Sequence, residues 1–435
     1  MKLLLKGGRV IDPSRGVNRV SDILIDRGRI AEIGRNIPHK GERVIDVKGK
    51  IVSPGLIDMH VHLREPGNEE AETIETGTRA AARGGFVLLA CMPNTNPTID
   101  NQDTVAFIHS MTKKKGAARV LPIGSITKGL EGKELAEMGE LKGSGVVAVS
   151  DDGGVIHNCD IMRHALEYAK MLELLVISHC EDETLNIDGV MNEGYWATSL
   201  GLAGTPTASE EIAVARNIRL LELSGGALHI AHLSCAGSVS LVREAKKRGI
   251  NVTCETAPHY FTLTDEAIKE YNTNTKVKPP LRGKKDVEAI KEGLSDGTID
   301  VIATDHAPHT PEEKEVEYEL APFGMIGLET ALPLILGLTR EGVLDLNEAL
   351  AKITNNPARI LNLDGGTLKV GSTADITVID LEEKVIVKKD SFQSKSRNSP
   401  FIGWELQGMA VLTICGGKIT SMSDQVKNKL CGRTK

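Results

Sequence analysis

The sequence predicts an α/β protein: a parallel (β/α)8 TIM-like barrel with a small β-sandwich domain built from both chain ends. Three observations lead there. Eight short apolar runs alternate with helix-like segments between residues 54 and 362. No Gly-x-Gly-x-x-Gly follows the first of these runs, which disfavours the doubly wound open sheet that the same alternation would otherwise allow. The two ends of the chain read as alternating strands joined by Gly-rich turns, each too short to bury a core by itself.

Taken in order, residues 1–53 open with strand-like segments, and the stretch from Asp22 to Ile33 alternates around an Asp-Arg-Gly turn, a hairpin signal. The barrel region begins in Ile51-Val-Ser-Pro-Gly-Leu-Ile-Asp-Met. Its apolar runs are 56–62, 86–92, 120–126, 146–152, 174–180, 228–233, 251–256 and 300–304. Helical patterns such as 161–172 and 209–223 separate them. After residue 362 the alternating style returns, in the stretches starting at Ala374 and Ala410. The expected division is therefore 1–53 and 363–435 in one β domain and 54–362 in the barrel.

Composition narrows the function classes. The chain has 435 residues, 40% hydrophobic and 26% charged, with a net charge of -7. That is an ordinary soluble balance, and with no basic patch beyond Lys113-Lys114-Lys115 it gives nucleic-acid binding little support. Charge runs such as Glu312-Glu313-Lys314-Glu315 read as solvated surface. The first residues hold too few apolar side chains for a signal peptide, and no segment approaches a membrane span. Seven cysteines, including Cys159, Cys180 and Cys431, form no Cys-x-x-Cys pair, so most read as small buried hydrophobes. Reduced thiols and an acidic chain lead to an expected cytoplasmic location.

The polar residues that bind metals fall at strand ends. His60 and His62 close the first run, two apart and hence on one face of a strand. Asp151 and Asp152 end the fourth, His179 the fifth, His232 the sixth and Asp305 the eighth. In a parallel barrel all these ends share one rim, where active sites are built. One such histidine is more often hydrogen-bonded filler than a ligand, and Asp-Asp-Gly alone is most often a turn. With one of the two adjacent aspartates counted, six such residues buried together without a partner would each cost several kcal/mol, and a metal supplies the partner.

Spacing sorts the neighbours. His229 and His232 are three apart, so a regular strand turns them to opposite faces, and His232 is the better ligand. Cys180 points away from His179. His157 and His164 read as loop and helix surface, while His259 and His306 sit near the rim as hydrogen-bonding groups. Between Asp151 and Asp152 the spacing does not decide. Nitrogen and oxygen ligands without thiolates suit Zn2+, with Mn2+ or Co2+ as substitutes, and six candidates exceed the needs of one tetrahedral ion. A two-metal centre with Asp305 moving protons gives metal-assisted hydrolysis, or its reverse, at an amide or ester.

Pro54-Gly-Leu-Ile-Asp-Met-His-Val-His-Leu-Arg-Glu-Pro-Gly67 and Ala303-Thr-Asp-His-Ala-Pro-His309 resemble the two signatures of the amidohydrolase superfamily, and more closely those of the bacterial type I dihydroorotase family. Met92-Pro-Asn-Thr95, Ser150-Asp-Asp-Gly153, Ser178-His-Cys-Glu181, Ala321-Pro-Phe-Gly324 and Lys395-Ser-Arg-Asn-Ser-Pro400 match further stretches in order, so the resemblance spans essentially the whole chain. It implies two Zn2+ per subunit, His60, His62 and Asp305 on one and His179 and His232 on the other, with Asp152 and a hydroxide between them. It also implies reversible cyclisation of N-carbamoyl-L-aspartate to dihydroorotate in pyrimidine synthesis, with Asp305 as the proton carrier. Arg64, Asn94 and His309 would hold the substrate carboxylate, with His62 and the backbone of Phe323 and Gly324 in reach. Lys278 stands where the family usually has a substrate-contacting Asn, and is expected to reach the ring or carboxylate or else to point to solvent. A homodimer is implied, and a carbamoyltransferase is a possible partner.

Two alternatives stand beside this one. A hydantoinase- or allantoinase-like cyclic amidase would bridge its metals with a carboxylated Lys at the end of the fourth strand. Here the nearest lysine, Lys142, precedes that strand and belongs to the opposite rim. A non-catalytic scaffold for a carbamoyltransferase would be expected to have lost ligands, and all six are present.

Overall fold

A computed structural model describes residues 2–38, 41–424, 426 and 427; Cys431 lies outside them. All eight predicted barrel strands form, in sequence order: Leu56–Val61, Phe86–Cys91, a third split at Ile123 into Arg119–Pro122 and Gly124–Ser125, then Ala148–Ser150, Leu175–Ser178, Leu228–Ile230, Val252–Thr256 and Val301–Ile302. Each pairs in parallel with the next. The ring closes where Val61 bridges His306 and the His62 N–H donates to the His306 carbonyl at 2.9 Å.

The strands are somewhat shorter than the apolar runs, and the chain turns sharply at or just beyond the ends of three of them. Arg64, His232 and Asp305 have φ of 61°, 35° and 49°, the left-handed region that costs most residues energy and is tolerated where surrounding contacts fix it. Those turns swing side chains over the barrel mouth instead of along its wall. Below them the interior is filled with small and flexible side chains, including Met59, Ala90, Met92, Ala148, Ile177 and Ala231.

Helices cover the outside. Cys159–Met171 starts at Asn158, whose side chain accepts from the Asp160 and Ile161 N–H groups, and it buries Met162, Ala165, Leu166 and Ala169 at helical spacing. Thr207–Ser224 does the same with Ala213, Val214, Ile218 and Leu221. The main core lies between these helices and the strands.

A second, eight-stranded sheet unites the chain ends. Ile376–Ile386 pairs antiparallel with Ile51–Pro54 on one side and with Glu405–Cys415 on the other, and Leu3–Asp12 pairs antiparallel with Val17–Asp26. The expected hairpin is present, with Val17–Asp26 and Arg29–Gly34 turning at Arg27 and Gly28. Leu3, Leu5, Ile23, Ile25, Ile376, Val378 and Leu412 form its core. Between Ile376–Ile386 and Glu405–Cys415 the chain leaves the sheet and returns to the barrel rim. There the Asn398 amide donates to the carbonyls of Ala307 (3.0 Å) and Gly324 (3.1 Å).

Cys91, Cys180, Cys235 and Cys254 are buried free thiols, as expected of most of the cysteines, while Cys159 is exposed at the start of its helix. Among the described residues no helix is long and apolar enough to cross a membrane.

Candidate metal centre

The first strand ends with both imidazoles turned to the barrel mouth, their ring centroids 5.4 Å apart. The eighth strand brings in Asp305, whose Oδ1 lies 3.1 Å from His62 Nε2 and 3.6 Å from His60 Nε2. Asp152 sits between two groups of histidines. Its Oδ2 is 3.5 Å from Nε2 of both His60 and His62. Its Oδ1 is 3.5 Å from His232 Nε2 and 3.9 Å from His179 Nδ1. His179 and His232 face each other, Nδ1 to Nε2, at 2.8 Å. Six residues separated by up to 245 positions in sequence thus meet at one point, because every barrel strand ends on the same rim.

The donor set fits a cation. His60, His62 and Asp305 offer ligand atoms all within 4.8 Å of one another, and so do His60, Asp152 and His232. His60 Nε2 and Asp152 Oδ1 are buried without a hydrogen-bond partner, which a protein interior rarely allows. The electrostatics agree. Burial opposes ionisation of Asp152 and Asp305, yet the hydrogen bonds and charges of His60, His62 and His232 hold both carboxyls below the usual range. Burial should strip His60 of a proton, but Asp152 and Glu255 push its pKa well up. The carboxylates demand positive charge at the centre, and a metal ion meets that demand as a proton does.

Groups behind the candidate ligands orient them. His60 Nδ1 is 2.6 Å from Glu255 Oε1, and the other Glu255 oxygen is 3.4 Å from His229 Nε2. His62 Nδ1 is 2.8 Å from Asn94 Oδ1, and His179 Nε2 is 3.3 Å from Glu181 Oε2. Such outer bonds fix which ring nitrogen faces inward. Glu255 was missed in the sequence, although a lone charged residue near the end of the strand Val252–Thr256 was the available signal. His229 indeed faces away from the centre and supports Glu255.

The neighbouring candidates sort themselves. Asp151 turns aside and accepts the Ile126 and Thr127 N–H groups at 2.8 and 2.9 Å. His306 bonds Glu72 (3.3 Å) and the Gly327 N–H (3.1 Å), so it pins the rim. His259 is buried, with no hydrogen-bond partner for Nε2 and a pKa lowered by burial to about 4. His157 and His164 are exposed. Lys142 is exposed near the opposite rim, donating to the Leu172 carbonyl.

A cavity of about 340 Å³ opens onto the centre. His62, Arg64, Asn94, Lys278, His309, Phe323 and Gly324 all line it, together with Asp152, His179, His232 and Asp305, while His60 is sealed beneath. Arg64 Nη2 lies 3.3 Å from His309 Nε2, and Arg64 Nε donates to the Pro308 carbonyl at 3.0 Å. Burial, with the cations Arg64 and Lys314 nearby, lowers the His309 pKa to about 4, so its ring is neutral. Gly324 has φ 136°, and a Cβ there would stand 2.7 Å from Ala307 Cβ and 3.1 Å from His309 Nε2. Only glycine lets that backbone approach so closely.

Two buried lysines hold the loop 315–327, whose Phe323 and Gly324 line the cavity. Lys276 Nζ donates to the carbonyls of Tyr318 (2.9 Å) and Glu319 (2.8 Å) and lies 4.7 Å above the Phe323 ring. Lys314 Nζ donates to the carbonyls of Pro322 (2.7 Å) and Gly324 (3.1 Å). Glu312 and Glu315 are exposed, as the reading of this run as solvated surface expects, but for Lys314 that reading is corrected. The short helix Pro311–Lys314 turns Lys314 inward, where loop carbonyls need a donor.

Residues 49–238 match the family model described as Dihydro-orotase-like, and residues 229–421 match that of the Amidohydrolase family. A dihydroorotase of Geobacter sp. (strain M21) is 56% identical over 420 residues, 96% of this chain and 99% of that protein. One of Pelotomaculum thermopropionicum is 57% identical over 427 residues, 98% of this chain and 100% of its own length. Among solved structures, the L-hydantoinase (dihydropyrimidinase) of Arthrobacter aurescens superposes with a TM-score of 0.87 at 26% identity, covering 97% of this chain and 96% of that one.

Proposed function

As the chain belongs to the dihydroorotase family of metal-dependent cyclic amidohydrolases, we propose that it interconverts N-carbamoyl-L-aspartate and (S)-dihydroorotate at a two-zinc centre, in pyrimidine synthesis. The observation that carries this reading is the position of Asp152. It offers one oxygen to each of two histidine groups, in a cavity that also holds Arg64, which forms no ion pair among the described residues.

In this reading His60, His62 and Asp305 hold one ion, His179 and His232 the other, and Asp152 lies between them. When bound, the ions supply a water ionised near neutral pH and polarise the amide carbonyl. Arg64 receives the substrate carboxylate, since a guanidinium grips it with a fork of donors, and Asn94 and His309 complete the pocket. His309 serves there as a neutral hydrogen-bonding group. His62 and the backbone at Phe323 and Gly324 border the ring.

Asp305 moves the proton. Its carboxylate takes a proton from the attacking water, the ring C–N bond breaks, and the proton passes to the leaving nitrogen. Cyclisation runs the same transfers backward. Residues 54–362 form the catalytic barrel in this reading, and 1–53 with 363–435 the flanking β unit. The enzyme would act in the cytoplasm as a homodimer.

Turnover of dihydroorotate, hydantoin and allantoin by the zinc-loaded enzyme tests the proposal. Dihydroorotate should be hydrolysed and the other two poorly. Hydantoin turnover without dihydroorotate turnover would overturn it.

A further inference from the structure

Two ligand histidines have a carboxylate behind them, and the two carboxylates are backed differently. Behind His60, Glu255 is 1% exposed and is followed by His229, which bonds Thr253 Oγ1 at 2.8 Å. That chain is sealed in the barrel. Behind His179, Glu181 Oε2 lies 2.6 Å from Lys278 Nζ, while the Asn186 amide takes the other Glu181 oxygen. Lys278 is on the cavity wall, and its side chain is 30% exposed.

The order of contacts matters. His179 Nδ1 faces His232 and Asp152, so Nε2 is the outward nitrogen and donates to Glu181. A carboxylate on that N–H fixes the tautomer that leaves Nδ1 free to bind a cation, and makes it a better donor. Glu181 is itself 4% exposed, and a buried carboxylate keeps its charge and place only with a partner. The Lys278 ammonium is that partner, with Glu183 a further 3.8 Å contact.

We propose that Lys278 is a positioning residue that acts through Glu181 on His179, and sets the metal affinity of the His179–His232 half of the centre without contacting substrate. The inference rests on the two-metal reading above and assigns Lys278 a different task from the substrate contact expected at its position.

The test uses the full-length zinc enzyme with Lys278→Met, Glu181→Gln, the double variant and Lys278→Arg. Zinc affinity is read by chelator competition, and kcat and KM for dihydroorotate are read separately at saturating zinc. Removing a group behind a ligand costs about 10- to 100-fold in metal affinity. Lys278→Met and Glu181→Gln should each weaken one of two zinc equivalents by that factor, with the double variant no worse than Glu181→Gln alone. Lys278→Arg should restore most of the loss, and KM at saturating zinc should stay near wild type. Wild-type zinc affinity in Lys278→Met overturns the proposal, whether KM rises or not. A wild-type enzyme that binds two zinc ions without hydrolysing dihydroorotate would sink the substrate reading and leave this test intact. A wild-type chain that binds no zinc would sink both.

Discussion

Arg64 and His309 meet at 3.3 Å, Nη2 to Nε2, with no carboxylate between them. The imidazole also lies 2.9 Å from the Phe323 carbonyl, so the pair ties the end of the first strand to the loop over the cavity. A cation held beside a neutral ring, on the wall of a cavity, is arranged to receive an anion, while Glu313 pairs with the other ring nitrogen, 3.3 Å from His309 Nδ1.

Arg64→Met should therefore act mainly on substrate binding. A hydrogen bond to a charged group contributes about 1.5–3 kcal/mol, which corresponds to a KM rise on the order of 10- to 100-fold. Steady-state kinetics against dihydroorotate measures it. An unchanged KM would remove Arg64 from the carboxylate pocket.

Asp305→Asn keeps the shape of the side chain but cannot accept a proton. A general acid–base group contributes about 10²- to 10⁴-fold, and kcat should fall within that range while one or both zinc ions are retained. Turnover at the wild-type rate, with zinc content measured on the same sample, would rule Asp305 out as the proton carrier.

Glu255→Gln should loosen the ion held by His60. Burial opposes the Glu255 charge, but His60 and His229 hold its pKa down to about 2, so it is a carboxylate at any working pH. An amide in its place orients His60 without the negative charge. Zinc affinity should drop about 10-fold or more, read by chelator competition. Equal affinities would show that orientation alone suffices.

Lys314 should tie the stability of the fold to pH. Burial, and then the nearby Lys276 ammonium, lower its pKa from 10.5 to about 7. Between those values the unfolded chain binds the extra proton, so this group makes stability rise with pH from about 7 upward. Below that window both states are protonated and the contribution is level. Urea unfolding of the zinc enzyme at pH 7 and pH 9 should show a smaller rise for Lys314→Met than for wild type. Parallel curves would mean that Lys314 titrates normally in the fold.

Much of the site was legible because period and chain order are local properties. The apolar runs placed His60, His62, Asp152, His179, His232 and Asp305 at strand ends, and the parallel architecture alone then put them on one rim. Glu255 was not legible, because its role depends on what lies across the barrel from it.

Asp151 and Asp152 mark the boundary most clearly. The sequence by itself determined a barrel, a split β unit and a ring of metal-type residues, all of which follow from side-chain periodicity and connectivity. It could not say which of two adjacent carboxylates faces the centre. The backbone turn after the fourth strand decided that, giving Asp151 to the Ile126 and Thr127 amides and Asp152 to the histidines. The same holds for Lys314 in its charged run and for Lys278. Whether a charge meets water, a carbonyl or a buried carboxylate is fixed by atoms distant in the chain, and only packing brings them together.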